Sequence, residues 1–331
     1  MNGFSPWDAE AFFEDLGCPL KVERGNRVFP VSDKSLSVLQ ALERAMKEAG
    51  VTLRKGRVRH IRTENGAVVG VSTDREDYDA PAVILATGGC SYPATGSTGD
   101  GYTLTAALGH RVVPPRGSLV PLEERGSWCA KLQGLSLRNV NVTLLDQKGK
   151  RVHEEFGELL FTHFGLSGPT VLSLSAHMDP AAPGRILIDL KPALDEAALD
   201  ARLLRDFGAN QNKTFEHALT GLFPRTLIPV MVERSGIPGD LRVNAVTKVQ
   251  RRTLLELTKA FPVDLAGPRP VEEAIITAGG VSVREVHPKT MESRLVSGLY
   301  LAGELLDCDA YTGGYNLQIA WATGHAAGAA C

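Results

Sequence analysis

The sequence has no long hydrophobic run and no excess of charge of either sign. No stretch approaches the roughly 20 apolar residues that span a bilayer, and the opening residues carry neither the basic region nor the apolar core of a secretion signal. Lys and Arg number 36 against 38 Asp and Glu, a net charge of −2. We therefore expect no basic surface that attracts nucleic acid or an anionic membrane. We predict a cytoplasmic protein whose partner is a small molecule, with no nucleic-acid or membrane partner, and the oligomeric state stays open.

Cysteine is scarce and irregularly placed. The five cysteines are Cys18, Cys90, Cys129, Cys308 and Cys331. They are odd in number and form no CxxC pair, which disfavours a disulfide framework or a zinc knuckle. The eight histidines show neither HxxH nor HExxH spacing, so no metal site is predicted. The segment GLSGP at 165–169 is one residue short of the GxSxG nucleophile elbow.

The chain is long enough for two or three domains, because a single core usually stops growing below 331 residues. Its first part alternates helical and strand patterns, and the dipeptide Asn65-Gly66 is a strong hairpin signal. The predicted elements there are a helix over Trp7–Leu16, a helix capped by Ser32 and Asp33 that ends at Gly50, strands at Val51–Leu53, Val58–Thr63 and Val68–Ser72, a buried parallel strand at Ala82–Ala86, and a helix over Thr98–Leu108.

The texture changes twice further along the chain. From Leu119 to Leu190, short alternating strands separated by Gly, Pro and Asn are typical of a small β-barrel or sandwich. The stretch Asp195–Phe261 has helical periodicity, and strands return at Glu273–Ile276 and Leu299–Ala302. The simplest organisation is an α/β unit that a β-rich insert and a helical insert interrupt and that the C-terminus completes.

Two glycine-rich segments of the first part could contact a nucleotide. LATGG ends an apolar strand, and the small residues Ala86, Thr87, Gly88 and Gly89 would let the backbone turn past a ligand; a plain tight strand exit is the alternative. GSTGDG opens a predicted helix. Its Thr98 and Asp100 could bond a polyol or simply satisfy the first helical turn.

GELLD follows the last predicted strand with two carboxylates. A carboxylate accepts hydrogen bonds from hydroxyl groups, which suits Gly303, Glu304 and Asp307 to the ribityl chain of a flavin. A solvated loop is the alternative.

GGYNLQ is the most specific motif. Two glycines allow close approach of a ligand, and the N–H groups that open the final helix would face developing negative charge on a reduced ring. Helix capping by Asn316 is the alternative. The candidate cofactor-binding residues of this motif are Gly313, Gly314, Tyr315, Asn316, Leu317 and Gln318. The natural ligand for such a combination is a flavin.

These motifs sit in longer segments that resemble the BaiN-like family of NAD(P)/FAD-dependent oxidoreductases, which includes aminoacetone oxidase-like flavoproteins. The matching segments, in family order, are RVFPVSDKS (27–35), VILATGGCSYPATGSTGDGYTLTAALGH (83–110), LQGLSLRNV (132–140), GELLFTHFGLSGP (157–169), AIITAGGVSVREV (274–286) and GLYLAGELLDCDAYTGGYNLQIAWATG (298–324). They extend over nearly the whole chain.

The resemblance implies an α/β, two-dinucleotide-binding-type (glutathione-reductase-like) FAD domain over 1–117 and 285–331, here N-terminally incomplete. It also implies a β-barrel insert over 118–193 and 262–284 and a helical insert over 194–261. FAD would be bound by the strand around Val58 and by the motifs above, with NAD(P)H as electron donor. The residues implied on the substrate side are Thr277, Gly279, Gly280 and Tyr311, and the candidate proton donors are Tyr311 and Tyr315; no catalytic residue is assigned.

The implied activity is hydride transfer between NAD(P)H, flavin and a small organic substrate, by reduction of a C=C or C=N bond, or return of electrons to oxygen. Family members begin with a βαβ unit bearing GGGPAG-like glycines and then a GGGRCN-like segment, and neither occurs in this sequence. Such a helix N-terminus is the main anchor of the pyrophosphate. The alternative is therefore a non-catalytic or truncated flavoprotein fragment that binds FAD weakly or not at all.

Overall fold

The structure, a computed structural model, describes residues 3–23 and 25–331. The chain forms two compact units: Met1–Gly117 together with Ile275–Cys331, and Ser118–Ala274. The division into three parts stays a prediction. The strands are β1 Leu20–Glu23, β2 Arg27–Pro30, β3 Val58–Glu64, β4 Ala67–Thr73, β5 Asp77–Asp79, β6 Val83–Leu85, β7 Val112–Ser118, β8 Leu122–Glu124, β9 Ser136–Leu145, β10 Arg151–Phe161, β11 Gly165–Ser167, β12 Arg185–Asp189, β13 Phe261–Pro268, β14 Ile276–Val281 and β15 Leu299–Leu301. The helices are α1 Pro6–Asp15, α2 Ser35–Glu48, α3 Asp100–Ala107, α4 Trp128–Lys131, α5 Pro169–Ser175, α6 Glu196–Ala209, α7 Phe215–Ala218, α8 Ile228–Ser235, α9 Lys248–Lys259 and α10 Tyr315–Ala330.

A parallel strand pair organises the first unit. β6 and β15 pair in parallel, with Val83 opposite Leu299 and Leu85 opposite Leu301. The carboxyl ends of parallel strands meet at one edge of a sheet, which is where ligands bind in open α/β folds. The segments that follow the two strands, 86–89 and 302–304, therefore lie side by side.

Three further small sheets belong to this unit. β3, β4 and β5 form an antiparallel sheet in which Asn65-Gly66 makes the predicted hairpin turn. β1 pairs with β2, and β7 pairs with β14. α3, predicted from TGDG, ends just before Gly109.

The second unit contains a closed barrel of six strands in the order β10-β11-β8-β13-β12-β9. Its strands alternate buried and more exposed residues, as in β13, because successive side chains point to opposite faces. Phe161, Ile186 and Phe261 fill its interior. The sequence had left barrel and sandwich open, and the structure decides for the barrel.

Helices α6–α9 complete the second unit. The Asp195 carboxylate accepts a hydrogen bond of 2.7 Å from the Ala198 N–H and caps α6, whose Leu199, Leu203 and Phe207 are buried. The helical pattern predicted as far as Phe261 is wrong at its end, because Phe261 opens β13 and pairs with Ile188.

Three other local predictions are also wrong. Val51–Leu53 forms no strand with any part of the described chain, and its side chains are exposed. Ser32 and Asp33 do not cap α2, which begins after Lys34 without a side-chain cap; the Ser32 hydroxyl bonds instead to Ser37. The strand expected at Glu273–Ile276 begins only at Ile276, after a 3-10 turn. Short apolar runs do not distinguish strands from extended surface chain.

No helix in the described ranges combines the length and apolarity needed to cross a membrane. The same residues contain no group of three or more His, Cys, Asp or Glu side chains arranged to hold a metal ion.

Candidate functional site

The candidate site begins where β6 and β15 end. Gly88 and Gly303 both adopt left-handed backbone conformations, with φ of 73° and 70°, so both chains turn sharply at the same edge. Glu304 follows Gly303, and one of its carboxylate oxygens accepts a hydrogen bond from the backbone N–H of Thr277. Two strand ends and the start of β14 therefore converge on one carboxylate.

A cavity of about 480 Å³ adjoins these strand ends. That volume lies within the range of about 300–1,000 Å³ typical of small-molecule sites. Its lining is mostly apolar. It consists of Phe4, Phe12, Phe13, Leu42, Ala86, Gly88, Ala302, Gly303, Glu304, Ala320, Trp321, Gly324 and His325. Glu304 thus places a carboxylate at the wall of a largely apolar cavity.

Aromatic contacts hold the wall formed by α10. The ring of Phe4 stacks on His325 with centroids 4.6 Å apart, and Phe13 meets Trp321 edge-on at 5.2 Å. The Gln318 side chain donates a hydrogen bond of 3.0 Å to the carbonyl of Phe4. Residues near the two ends of the chain therefore build one side of the cavity.

No side chain in the described part of the protein caps the N-terminus of α10. Gly313 and Gly314 precede it with φ of 118° and 95°, and the Cβ position of Gly314 meets no atom within 4 Å. The Asn316 amide bonds instead to the backbone of Ala310 and Tyr311, so the capping alternative is wrong. The N–H groups of the first turn are left for solvent or a ligand, and they carry the positive end of the helix dipole.

Asp100 is engaged by a cation rather than left for a polyol. The Arg57 guanidinium donates to both carboxylate oxygens, at 2.6 and 2.9 Å, and this contact lowers the pKa of Asp100. Arg57 precedes Val58 at the start of β3, so the pair joins two of the predicted segments. Contact of Asp100, Thr98 or Val58 with a cofactor stays a prediction.

Thr87 has a buried hydroxyl oxygen without a hydrogen-bond partner in the described part of the chain. A side chain on Gly101, in the first turn of α3, would overlap that oxygen. Buried hydroxyls normally have partners, and an orphan at a strand end is the kind of group that a ligand satisfies.

The residues predicted on the substrate side are only partly brought together. Thr277 is fully buried and reaches the site through Glu304. Gly279 and Gly280 approach backbone carbonyls, of Pro114 and Leu305, rather than the cavity. The Tyr311 carbonyl accepts from Asn316 at 3.3 Å. The Asp307 N–H bonds to the Val281 carbonyl at 2.9 Å, which places this residue beside β14.

Sequence reasoning missed the aromatic wall and Tyr102. The Tyr102 hydroxyl donates to the carbonyl of Glu304 at 3.3 Å, and burial raises the pKa of this phenol. The available signal was the pair of adjacent Phe residues in the first helix and the Trp in the last one. Neither helix sequence contains a feature that identifies the other helix as its packing partner.

Comparison with known proteins decides the family. Residues 1–330 match the model described as the HI0933-like protein Rossmann domain. The chain belongs to the HI0933-like family. This assignment confirms the resemblance drawn from the motifs and the α/β Rossmann-type fold class, to which the structure adds a six-stranded barrel.

Three relatives give the HI0933-like assignment more detail. The chain is 34% identical over 339 residues to the 3-dehydro-bile acid delta(4,6)-reductase of Clostridium scindens, a match covering 100% of this chain and 81% of that protein. It is 35% identical over 246 residues to the ribosomal RNA dihydrouridine synthase of Haemophilus influenzae, over 74% of this chain and 58% of the relative. The Escherichia coli protein of the same name is 31% identical over 301 residues, over 91% and 67%.

A solved structure, GidA of Aquifex aeolicus, matches 87% of the chain with 14% identity and a TM-score of 0.31. The chain spans 48% of that structure's length. The sequence matches, and not this distant likeness, identify the HI0933-like chain as an enzyme of a flavoprotein-type oxidoreductase family.

The residues around the ends of β6 and β15 in this HI0933-like chain fit the flavin end of FAD, the cofactor that the family implies. Glu304 offers a carboxylate to hydroxyl groups, and α10 offers uncapped N–H groups behind two left-handed glycines. The adjoining cavity has the apolar and aromatic walls that a flat ring system needs.

Proposed function

We propose that this chain is a FAD-dependent reductase that adds a hydride and a proton across an electron-poor C=C bond conjugated to a carbonyl group. The observation that carries the proposal is the uncapped first turn of α10 behind Gly313 and Gly314. It lies in the same unit as the Glu304 carboxylate and the apolar cavity. Such a helix terminus favours negative charge on a bound group.

When bound, FAD would supply hydride transfer between NADH or NADPH and the substrate. The residues of this chain would orient the bound groups and stabilise negative charge on them. Glu304 would accept hydrogen bonds from hydroxyl groups with the carboxylate oxygen that Thr277 leaves free. The N–H groups of Asn316 and Leu317 would stabilise negative charge at the end of α10. Phe4, Phe13 and the rest of the aromatic wall would exclude water from this side.

The substrate class follows from chemistry shared by the relatives' names. A delta(4,6)-reductase of a 3-dehydro-bile acid reduces double bonds conjugated to a ketone, and a dihydrouridine synthase produces a uracil ring whose C=C bond, next to a carbonyl, is saturated. Both names therefore describe reduction of a C=C bond that a neighbouring carbonyl group makes electron-poor. We therefore favour an α,β-unsaturated carbonyl compound over an imine or oxygen as acceptor.

A small molecule and a uridine in ribosomal RNA both contain this group. The names of two relatives favour RNA as the second candidate. Charge favours the small molecule, because the barrel-containing unit has 19 basic and 19 acidic residues and the other unit has 17 and 19. Neither unit has the excess of basic residues that favours contacts with phosphate groups.

The experiment has two stages. The purified chain is incubated with excess FAD and passed through gel filtration, and retained flavin absorbance is measured. Under anaerobic conditions NADH or NADPH then reduces the bound flavin, and its reoxidation is followed with a conjugated enone, a uridine-containing RNA fragment, an imine or oxygen.

Retained flavin that the enone reoxidises fastest supports the proposal, and fastest reoxidation by the RNA fragment supports the second candidate. Glu304→Gln should retain less flavin, whereas Glu158→Gln, an exposed carboxylate of the other unit, should match the wild type. A protein that stays colourless would overturn the proposal in favour of a chain that does not bind FAD.

A further inference from the structure

We infer that Thr277 is a positioning residue of the flavin site. It fixes the position of the chain segment after β6 relative to the Glu304 carboxylate. The expected effect on FAD binding rests on the proposed function, whereas the hydrogen bonds that support the inference lie within the protein itself. Thr277 is the second residue of β14, every residue of which is buried, and its own exposure is 1%.

The Thr277 hydroxyl joins the chain beyond β6. Its oxygen accepts hydrogen bonds from the N–H of Cys90 at 2.8 Å and the N–H of Ser91 at 3.1 Å. The Ser91 hydroxyl lies 3.1 Å away. A hydroxyl has one donor and two acceptor positions. Because both acceptor positions are filled, the Thr277 O–H donates to Ser91. The hydroxyl is therefore fully used and cannot also contact a ligand.

The backbone of the same residue holds Glu304. The Thr277 N–H donates a hydrogen bond to Oε1 of Glu304. Oε2 has no hydrogen-bond partner among the described residues. A carboxylate fixed by one oxygen presents the other in a defined direction. Since Glu304 lines the cavity, Thr277 sets how this carboxylate meets whatever occupies it.

Gly89 shows how closely the segment after β6 approaches Thr277 and Glu304. A Cβ at this position would lie 2.6 Å from the Cβ of Thr277 and 3.1 Å from the carboxyl carbon of Glu304. No side chain fits there without displacing one of the two. The strand exit at 87–89, Thr277 and Glu304 therefore form a single packed unit, which we call the threonine clamp (Gly89, Cys90, Ser91, Thr277 and Glu304).

The clamp predicts a specific consequence of removing one oxygen atom. Thr277→Val keeps the shape of the side chain but leaves the Cys90 and Ser91 N–H groups and the Ser91 hydroxyl without their partner. Unsatisfied buried donors cost enough to move the loop. We expect the FAD dissociation constant to rise roughly 10- to 100-fold. Thr277→Ser retains the hydroxyl and should stay within a factor of about three of the wild type.

The matched control is Thr105→Val. Thr105 is equally buried in the same unit, but its hydroxyl bonds to carbonyls within α3, those of Gly101 and Tyr102. The readouts are the FAD dissociation constant from fluorescence titration, the midpoint potential of the bound flavin, and hydrogen exchange of residues 85–92 in the cofactor-free protein. Thr277→Val should accelerate exchange at Cys90 and Ser91, and Thr277→Ser should restore protection.

A Thr277→Val protein with wild-type FAD affinity and potential would overturn the inference, and so would one whose affinity falls no more than that of Thr105→Val. Unchanged exchange at Cys90 and Ser91 would overturn the clamp itself, whatever the cofactor. A wild-type chain that retains no flavin would refute the proposed function instead, and the exchange data would still decide whether the clamp exists.

Discussion

The two units of this protein differ in how completely they bury their apolar side chains. The barrel-containing unit has one continuous core of 35 buried residues, whereas the first unit has two separate clusters of 15 and 3 among the described residues. Of the 22 exposed large hydrophobic side chains that the structure describes, 18 belong to the first unit. Burial of apolar surface is the main source of folding stability, so we expect the second unit to be the more stable one.

The difference teaches where function can be accommodated. The first unit carries the uncapped helix terminus, the orphan Thr87 hydroxyl and the cavity beside Glu304, all of which cost stability in the absence of a ligand. Binding sites are commonly drawn from the less stable parts of a fold. The second unit has strands closed into a barrel, which leaves no open sheet edge.

The largest expected effect tests the continuous core. Phe161 and Phe156 lie on the same strand, β10, but are 1% and 63% exposed. Phe161→Ala should lower the free energy of unfolding by about 3–5 kcal/mol, because it leaves a cavity in the barrel. Phe156→Ala should stay within about 0.5 kcal/mol. Guanidinium unfolding measures both, and equal losses would contradict the assignment of the barrel interior.

The second prediction uses the cofactor to separate the units. Calorimetry of the cofactor-free chain should show two transitions, because the units have separate cores. FAD at 100 times its dissociation constant should stabilise the first unit by about 2.7 kcal/mol and leave the transition of the barrel-containing unit in place. A single transition that shifts as a whole would show that the two units unfold together.

The third prediction concerns the close approach at Gly89. Gly89→Ala forces a methyl group against Thr277 and Glu304 and should cost about 1–3 kcal/mol by overpacking. It should also weaken FAD binding. Gly208→Ala in α6 is the control, because its Cβ would meet nothing within 4 Å. This helical substitution should stabilise the second unit by up to about 1 kcal/mol. Chemical unfolding and flavin titration distinguish the two variants.

The smallest expected effect is the pH dependence of the barrel-containing unit. The His177 imidazole stacks on His153 with centroids 3.8 Å apart, and partial burial, followed by the charge of His153, lowers the pKa of His177 below 6.5. The folded unit then binds this proton less readily than the unfolded chain. Stability should therefore decline as the pH falls below 6.5 and through the lowered pKa. His177→Phe should remove that decline in pH-dependent unfolding experiments.

Asp100 provides the comparison in the first unit. Arg57 lowers the pKa of this carboxyl below 3.8. The contribution of the Asp100 carboxylate to folding stability is therefore complete above pH 3.8 and is lost only as the pH falls through the lowered pKa. Asp100→Asn should leave the profile between pH 5 and 7 unchanged, because the wild-type carboxylate does not titrate there. Acid losses that begin at the same pH in both units would contradict this separation.

Much of the local structure could be predicted from the sequence. The hairpin at Asn65-Gly66, the helical pattern that starts at Asp195 and the strand that leads into LATGG are all present. These features depend on residues within a few positions of each other. The predicted strand at Val51–Leu53 failed for the same reason, since three apolar residues contain no information about a pairing partner.

The candidate site could be predicted only as a set of separate segments. The motifs around Gly88, Glu304 and Gly314 named the backbone turns and the final helix correctly. They did not show that the Thr277 hydroxyl accepts a hydrogen bond from the backbone N–H of Cys90, 187 residues away. Nor did they show that the Gln318 side chain donates a hydrogen bond to the carbonyl of Phe4, 314 residues away. These contacts have no periodicity or spacing in the sequence.

The sequence by itself determined the hairpin turn at Asn65-Gly66, the glycine-rich strand exits, the periodicity of α6 and membership of the HI0933-like family. The tertiary structure decided which of them meet, including the barrel closure, the aromatic wall and the convergence of β6, β14 and β15 on Glu304. The reason is physical. Capping and turn formation depend on neighbouring residues, whereas the meeting of distant segments depends on packing the whole apolar core and pairing every buried polar group.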